Sequence, residues 1–395
     1  MTYRKFAADH LFTGRKTLSG SPVLVTSSDG TILDIIDRAE AGESVESFQG
    51  MLCPGFINCH CHLELSHLKG LFPEKTGLTS FVFSVISRRH QPDEIVHEAI
   101  RAAEEEMLAG GIVATGDICN NSSTLPQKKL GRLSYYNFIE ISGWAPSAAA
   151  ARFAAGKSVY DDFLAISSSG NRLAMAPHAP YSVSDELWRL IAPYFKNRTT
   201  TMHNQEAIAE DELFRKGTGD FIRMYEMMKI DNSFFRPPGT SSLQASLKGL
   251  AGASNVLLVH NTFTREEDLR QSIGKKGEGA GVFLCLCVNA NLYIEDALPP
   301  IELFRQHDCR MVLGTDSLAS NRQLSILEEI RTIRQHFPRI PLEEILGWAT
   351  RNGAAALQMD GFAGSFEKGK KPGILLIEHL QGMELTGRTA VKRLL

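Results

Sequence analysis

The chain has 395 residues, of which 43% are hydrophobic and 22% are charged, and its formal net charge is −3. This composition is typical of a soluble globular protein, and it excludes a collagen-like, low-complexity or intrinsically disordered chain. The charge balance provides no basic surface of the kind that binds nucleic acid, and no apolar run is long enough to span a membrane, so neither is expected as a partner.

The first ten residues contain no apolar segment of the kind found in signal peptides. We therefore expect a cytoplasmic protein, in which the seven cysteines are reduced. Most of these cysteines lie in apolar runs, as Cys285 and Cys287 do, which is typical of buried thiols.

The amino-terminal stretch reads as short strands and turns. Residues 22–26 and 31–36 are apolar and rich in β-branched side chains, and the turn between them contains Asp29 and Gly30. This pattern predicts a β-hairpin. We therefore predict that residues 1–53 form the first part of a small β-sandwich domain.

The carboxyl-terminal stretch has a similar character. A turn rich in glycine and lysine precedes a predicted strand at 374–377. This strand is expected to return to the amino-terminal module, so residues 359–395 form the second part of the predicted β-sandwich.

Between these two parts, residues 54–358 alternate short apolar runs with helical stretches. Such alternation is typical of parallel α/β folds, and eight units predict a (β/α)8 barrel. The eight predicted strands are 52–62, 112–117, 135–141, 173–178, 199–203, 256–260, 282–287 and 311–316.

A histidine or aspartate that is a candidate site residue stands at the end of five of these eight runs. Catalytic groups collect at the carboxyl ends of the strands in this fold, so the sequence predicts an active site there. The residues at these positions are His60 with His62, His178, His203, His260 and Asp316.

The first strand ends in two histidines one residue apart. Alternate side chains of a strand share a face, so His60 and His62 are expected to point the same way and Cys59 and Cys61 the other way. This arrangement argues against a mixed Cys/His cluster. Two adjacent imidazoles are half of a metal site; the alternative is a pair of polar residues at a strand end.

The other strand ends supply the missing ligands. His60, His62, His203 and Asp316 together offer three imidazoles and a carboxylate, which suits one divalent metal ion. Zinc is the first choice, with iron or manganese as alternatives. We expect a single ion because the fourth strand ends in Pro-His-Ala-Pro at 177–180, without the lysine that often bridges two metals in such barrels.

Three further residues have candidate roles. Glu206 follows His203 by three positions, which suits a proton shuttle, although a carboxylate facing a helix dipole is the alternative. His260 is expected to hold the attacking hydroxide or polarise the leaving group, with a structural histidine as the alternative. His178 is expected to contact substrate rather than metal.

The connection 214–250 is long and contains Phe-Phe-Arg-Pro-Pro-Gly at 234–239. A connection of this length is often a lid or a substrate-contact loop. A surface insertion is the alternative, and the sequence leaves both open.

Four motifs together resemble those of the amidohydrolase superfamily, in its deaminase and chlorohydrolase branch. The segment His-Ala-Pro-Tyr-Ser is similar to that of methylthioadenosine, S-adenosylhomocysteine and aminodeoxyfutalosine deaminases. The motifs are Pro-Gly-Phe-Ile-Asn-Cys-His-Cys-His at 54–62, His-Ala-Pro-Tyr-Ser-Val-Ser at 178–184, His-Asn-Gln-Glu at 203–206 and Leu-Gly-Thr-Asp-Ser-Leu-Ala-Ser-Asn at 313–321.

The resemblance implies the same metal ligands as above, and catalytic roles for Glu206 as proton shuttle, His260 as the hydroxide-orienting group and Asp316. It also implies substrate contacts, at His178, Glu64, Ser184 and Asn291. The segment Leu-Glu-Leu-Ser at 63–66 is closer to the aminodeoxyfutalosine type. The tail departs from the family, because Lys-Pro-Gly at 371–373 stands where an Ala-Asp pair is common.

We therefore expect a metal-dependent hydrolytic deaminase that releases ammonia from an aminated N-heterocycle, such as a purine nucleoside derivative. A homodimer is expected from the resemblance alone. The alternatives are a cyclic amide or triazine-type C–N or C–Cl hydrolase, and a non-catalytic binding protein on the same barrel.

Overall fold

Strands from both ends of the chain build two small sheets. The computed structural model describes residues 3–165, 172–272 and 281–395. One sheet has the strand order β5-β4-β1-β6 and the other β17-β16-β7-β2-β3. The strands are β1 (Tyr3–Ala7), β2 (His10–Phe12), β3 (Thr17–Leu18), β4 (Val23–Ser27), β5 (Ile32–Ile36), β6 (Glu46–Ser47), β7 (Met51–Pro54), β16 (Ile374–Glu378) and β17 (Ala390–Arg393).

Two pairings in these sheets match the sequence-based interpretation. Strands β4 and β5 form the predicted antiparallel hairpin. Strand β16 pairs antiparallel with β7, so the carboxyl-terminal stretch joins the amino-terminal module. The domain boundaries after residues 53 and 358 stay predictions.

The remaining eight strands are parallel and form two four-stranded sheets, β11-β10-β9-β8 and β12-β13-β14-β15. They are β8 (Phe56–Cys61), β9 (Ile112–Cys119), β10 (Ser134–Ile141), β11 (Arg172–Pro177), β12 (Thr199–Asn204), β13 (Asn255–His260), β14 (Gly281–Leu286) and β15 (Met311–Leu313).

The two parallel sheets meet along both edges. At one junction, the His203 N–H donates to the His178 carbonyl at 2.9 Å. At the other, Cys61 and Asp316 form a parallel bridge, and the Asp316 N–H donates to the His60 carbonyl at 3.1 Å. The eight strands therefore close into a ring, which confirms the predicted (β/α)8 barrel.

Helices surround and plug this barrel. The α-helices are α1 (Leu78–Arg88), α2 (Asp93–Ala109), α3 (Leu125–Lys128), α4 (Ala149–Leu164), α5 (Asp185–Ile191), α6 (Ile208–Lys216), α7 (Asp220–Met227), α8 (Ser242–Ser246), α9 (Glu266–Ser272), α10 (Val288–Glu295), α11 (Ile301–Gln306), α12 (Ile326–His336), α13 (Leu342–Gly347) and α14 (Gly353–Ala356). Short 3₁₀ elements lie at Leu63–Leu68, Pro146–Ala148, Pro180–Ser182, Ala192–Phe195 and Leu247–Leu250, and a π-helical turn spans Trp348–Asn352.

Helix α14 closes the amino-terminal end of the barrel. The Thr199 hydroxyl and the Asn255 amide, at the starts of β12 and β13, both donate to the Ala356 carbonyl. Ala354 and Ala356 pack in one buried apolar cluster with Leu257. The plug leaves the carboxyl ends of the strands as the open end of the barrel, where this fold carries its sites.

One sequence-based expectation about β8 is wrong. Cys59 and Cys61 do not share a face, because Cys59 packs in the cluster that contains Ile57, whereas Cys61 packs in the cluster that contains Phe56 and Met107. The pairing of β8 with β9 shifts register between Asn58 and Cys61, which breaks strict alternation. All seven cysteines are free thiols, as expected.

Within the described part of the chain, no helix combines the length and the apolar character needed to cross a membrane.

Candidate functional site

Four predicted ligands converge at the open end of the barrel. The Nε2 atoms of His60 and His62 lie 3.1 Å apart, and His62 Nε2 lies 3.3 Å from His203 Nε2. Asp316 Oδ1 lies 3.4 Å from His60 Nε2 and 3.3 Å from His62 Nε2. Side chains from β8, β12 and the end of β15 therefore point at one small volume, which we call the His/Asp cluster.

The backbone at three of these strand ends is left-handed. The φ angles are 45° at Gln205, 74° at His260 and 57° at Asp316. Such angles are uncommon outside glycine and cost on the order of 1–3 kcal/mol each, so they persist only where neighbouring contacts fix them. They turn the chain sharply away at the strand end while the functional side chains stay at the barrel mouth.

Hydrogen bonds behind the imidazoles set their tautomers. His203 Nδ1 lies 2.8 Å from the His178 carbonyl oxygen, and His260 Nδ1 lies 2.7 Å from the Asn291 side-chain oxygen. Because both oxygens are acceptors, each Nδ1 carries the hydrogen, and each Nε2 presents a lone pair.

The protonation states follow from burial. Burial lowers the pKa of His62 and of His260 to about 4, and that of His203 well below its usual value. Although burial alone would raise the pKa of Asp316, the hydrogen bond with His60 and the electrostatic interaction with His62 hold it well below its usual value. At neutral pH His62, His203 and His260 are therefore neutral, and Asp316 is a carboxylate.

This donor set fits a divalent metal ion. Nitrogen or oxygen ligands about 2.1 Å from a tetrahedral ion lie roughly 3.4 Å from one another, close to the separations in the cluster. Ligand atoms of His60, His203, His260 and Asp316 all lie within 4.8 Å of one another. His203 Nε2 presents its lone pair towards His62 Nε2, 3.3 Å away, so an ion bound between the two rings would engage both nitrogens.

Glu206 and His260 stand together beside the cluster. Glu206 Oε1 lies 3.5 Å from His260 Nε2, and both side chains are buried. Burial, reinforced by the carboxylates of Asp316 and Glu210, raises the pKa of Glu206 well above its usual value. A carboxyl group with a raised pKa, facing a cavity, is suited to accept and return a proton.

A cavity of about 340 Å³ opens from the cluster. Its inner part is polar, and two predicted substrate contacts lie there: His178, whose Nδ1 is 2.8 Å from the Ser182 hydroxyl, and Glu64. The lining away from the strand ends, which we call the outer part, is mainly apolar but also includes Arg89, His90 and Arg152. Its apolar residues are Leu65, Leu78, Phe81, Val82, Val85, Ile86, Trp144, Met224, Tyr225, Met228 and Ile230.

The other two predicted substrate contacts do not line this cavity. Ser184 is buried and caps helix α5, because its hydroxyl accepts the Leu187 N–H at 3.3 Å. Asn291 lies behind His260, with its side-chain oxygen on His260 Nδ1. Both residues therefore support neighbouring elements, and the structure does not bring them to the cavity wall.

The connection 214–250 contributes directly to the cavity. Met224, Tyr225, Met228 and Ile230 belong to it and line the outer part. Tyr225 stacks on Trp144, with ring centroids 5.4 Å apart and planes 12° apart. Of the two alternatives that the sequence left open, the structure favours a substrate-contact segment over a surface insertion.

Sequence reasoning missed several wall residues. Glu140, at the end of β10, is buried, and its Oε1 accepts the Asn120 side-chain N–H at 3.0 Å. Asn120 also donates its backbone N–H to Glu64 Oε2 at 3.0 Å. Glu140 had a usable signal, because it stands near the end of the third predicted strand. Trp144 had none.

A support of Asp316 was also missed. The Ser320 hydroxyl donates to Asp316 Oδ2, which leaves Oδ1 facing the histidines. Ser320 stands four residues after Asp316, in the Leu-Gly-Thr-Asp-Ser-Leu-Ala-Ser-Asn motif, so that motif carried the signal.

Comparison with known proteins identifies the family to which this chain belongs. The model of the amidohydrolase family matches residues 51–391. The chain therefore belongs to the amidohydrolase family, which is metal-dependent. With the deaminase relatives described next, this makes it a hydrolase that acts on carbon–nitrogen bonds other than peptide bonds.

Two relatives and one solved structure are similar to this chain over most of its length. An adenosine deaminase of Helicobacter pylori is 26% identical over 328 residues, which cover 81% of this chain and 77% of the relative. A 5-methylthioadenosine/S-adenosylhomocysteine deaminase of Saccharophagus degradans is 23% identical over 374 residues, or 89% of this chain and 77% of that one. The crystal structure of Helicobacter pylori aminofutalosine deaminase in complex with methylthio-coformycin superposes with a TM-score of 0.79 at 23% identity, covering 97% of this chain and 93% of that one.

Proposed function

We propose that this protein is a hydrolytic deaminase that releases ammonia from an aminated purine nucleoside derivative. The observation that carries the proposal is the pair Glu206 and His260, 3.5 Å apart beside the His/Asp cluster and facing a cavity of nucleoside size. Relatives that act on adenosine and on 5-methylthioadenosine or S-adenosylhomocysteine support the choice of substrate class.

The proposed ligands are His60, His62, His203 and Asp316, holding one divalent ion. Zinc is the first choice for three imidazoles and a carboxylate, with iron or manganese as alternatives. When bound, such an ion would lower the pKa of a water molecule from its bulk value to about 7, which would make a nucleophile available at neutral pH.

Glu206 is the proposed proton shuttle. It accepts a proton from the attacking water and delivers it to the ring nitrogen next to the amino-bearing carbon. His260, whose Nε2 lone pair faces Glu206, accepts a hydrogen bond from the attacking oxygen, while the ionised Asp316 favours its correct orientation. Addition of water to the ring carbon followed by loss of the amino group yields ammonia and the oxo product.

The cavity walls support a nucleoside with an apolar substituent on its sugar. The inner part offers His178 to the heterocycle and the carboxylates of Glu64 and Glu140 to sugar hydroxyls. The outer part, with Trp144 and Tyr225, suits a thioether or aromatic group. Methylthioadenosine-like and aminodeoxyfutalosine-like nucleosides meet these requirements better than unsubstituted adenosine.

A substrate panel tests the proposal. Ammonia release is measured for the metal-loaded protein with adenosine, methylthioadenosine, S-adenosylhomocysteine and aminodeoxyfutalosine, and chloride and ring-opened product are measured with chlorotriazines and cyclic amides. Ammonia from a nucleoside is expected. Chloride or ring-opened product as the main signal would favour the alternative hydrolases, and a protein with no metal and no ligand-dependent stabilisation would favour a non-catalytic binding protein.

Two further expectations belong to this proposal. We propose a homodimer, from the family resemblance, and a cytoplasmic location, from the sequence. Light scattering on the purified protein tests the first, since a monomer at micromolar concentration would contradict it. Cell fractionation tests the second.

A further inference from the structure

A buried carboxylate lies directly behind the proposed proton shuttle. Glu210 is 0% exposed, and its two oxygens accept from two consecutive backbone groups. The Glu206 N–H donates to Oε1 at 2.7 Å, and the Gln205 N–H donates to Oε2 at 3.0 Å. Burial raises the pKa of Glu210 to about 8, while the two backbone N–H groups favour its ionised form. Because each oxygen accepts one of these N–H groups, the contact fixes the backbone of both residues.

The local sequence explains why this carboxylate is needed. Helix α6 begins at Ile208, and its N-cap position is Ala207, which has no side-chain acceptor. Glu210 is the third residue of the helix, the position from which a glutamate reaches back to N–H groups before the helix start. It does so for Gln205 and Glu206, whose N–H groups would otherwise be buried without partners.

The Gln205 side chain extends the same support to the neighbouring strand end. Its Oε1 accepts the Thr264 hydroxyl at 2.7 Å, and its Nε2 donates to Asp268 Oδ2 at 3.0 Å. Its carbonyl oxygen accepts the Phe263 N–H at 3.0 Å. The segment 261–268 follows His260 along the chain, so these bonds join the segment that carries Glu206 to the one that carries His260.

We infer that Glu210 is a positioning residue that holds Glu206 at its working distance from His260. The inference rests on the proposed shuttle role of Glu206. Glu210 does not line the cavity, so it acts only through the backbone to which it is bound. The rate of proton transfer depends steeply on the position of the group that transfers the proton. Loss of supporting hydrogen bonds of this kind typically lowers activity by about 10- to 100-fold.

The substitution Glu210→Gln tests this role with little change in shape. Glutamine has one acceptor oxygen and one amide that donates, so it cannot accept both N–H groups. The expected result is a kcat about 10- to 100-fold lower with KM within about twofold of wild type and an unchanged metal content. Glu212→Gln is the matched control, because Glu212 is an exposed residue of the same helix, and it should retain wild-type kcat.

A double-substitution cycle separates positioning from general destabilisation. If Glu210 acts through Glu206, then E210Q should lower the residual rate of E206Q by less than about twofold. An equal fold-loss in both backgrounds overturns the inference, as does wild-type kcat in E210Q, or a loss that follows metal content or KM.

A second variant keeps the inference testable if E210Q folds poorly. Glu210→Asp keeps both acceptor oxygens but moves them one methylene away from the two N–H groups. A kcat below wild type at unchanged KM supports the inference, and wild-type kcat overturns it. Full turnover in E206Q overturns the shuttle role and the inference together, whereas inactive E206Q beside fully active E210Q and E210D overturns the inference alone.

Discussion

Glu206 Oε1 lies 3.5 Å from His260 Nε2, although Glu206 follows strand β12 and His260 ends strand β13. The Nδ1 hydrogen of His260 is held by Asn291, so its Nε2 lone pair faces the Glu206 carboxyl group. A proton that Glu206 shares with the attacking oxygen therefore lies beside His260 Nε2, an acceptor whose orientation Asn291 fixes. This relationship distinguishes the proposed active site from a purely structural metal site.

Removal of the metal should inactivate and destabilise the protein. Chelation removes the ion that the His/Asp cluster is proposed to hold, and an ion present at 100 times its Kd contributes about 2.7 kcal/mol of stability. We expect a lower Tm and no ammonia release after dialysis against a chelator, with both restored by zinc. Elemental analysis should show that the His203→Ala variant no longer contains the bound ion. Full activity in the chelated protein would contradict the proposed ligand set.

Loss of Asn291 should lower turnover through His260. Asn291→Ala removes the acceptor that fixes the His260 tautomer, so we expect kcat to fall about 10- to 100-fold with little change in KM. Steady-state kinetics of ammonia release measure this split. A large rise in KM with unchanged kcat would instead support the substrate contact that the sequence predicted at Asn291.

The apolar outer wall should determine which nucleosides bind well. Trp144 lies on the wall, stacks on Tyr225 and donates its indole N–H to Asn232 at 2.7 Å. In Trp144→Ala we expect KM to rise at least about tenfold for nucleosides with an apolar sugar substituent, and less for adenosine. Equal effects on both substrates would mean that the substituent does not reach this wall.

The buried carboxyl group of Glu329 should make stability pH-dependent. It accepts from the backbone and side chain of Asn289 and from Asn321, yet burial outweighs these bonds and raises its pKa to about 8. Because the folded-state pKa exceeds the unfolded value of about 4.5, the native state holds this proton longer, and the stabilisation that it contributes is lost as pH rises towards 8. Relative to Glu329→Gln, the wild-type protein should therefore lose unfolding free energy between about pH 5 and pH 8, as measured by urea denaturation of the holoprotein. Parallel pH profiles of the two proteins would exclude this group as the cause.

The barrel and the convergence of the His/Asp cluster could be predicted because they depend on local pattern. Short apolar runs that end in His or Asp mark the carboxyl ends of parallel strands, and the fold brings those ends together. His203 and Asp316 could thus be assigned to the same site as His60 without any contact being known.

The residues that surround the ligands could not be predicted in the same way. Asn291 lies in helix α10, and its side-chain oxygen accepts a hydrogen bond from His260. Trp144 stacks on Tyr225, which belongs to a connection whose path cannot be predicted from sequence periodicity. The faces of Cys59 and Cys61 were predicted from strict alternation, which the register shift in β8 breaks. Loop paths and bulges depend on tertiary contacts, so the polar inner wall and the apolar outer wall needed the structure.

The central claim is that Glu206 transfers the proton in a hydrolytic deamination. The most direct measurement compares ammonia release by wild type and Glu206→Gln, with the same nucleoside at matched metal content. Loss of a general acid–base group predicts that kcat falls by about 10²- to 10⁴-fold in E206Q while the metal stays bound. Near-normal ammonia release by E206Q would contradict the account.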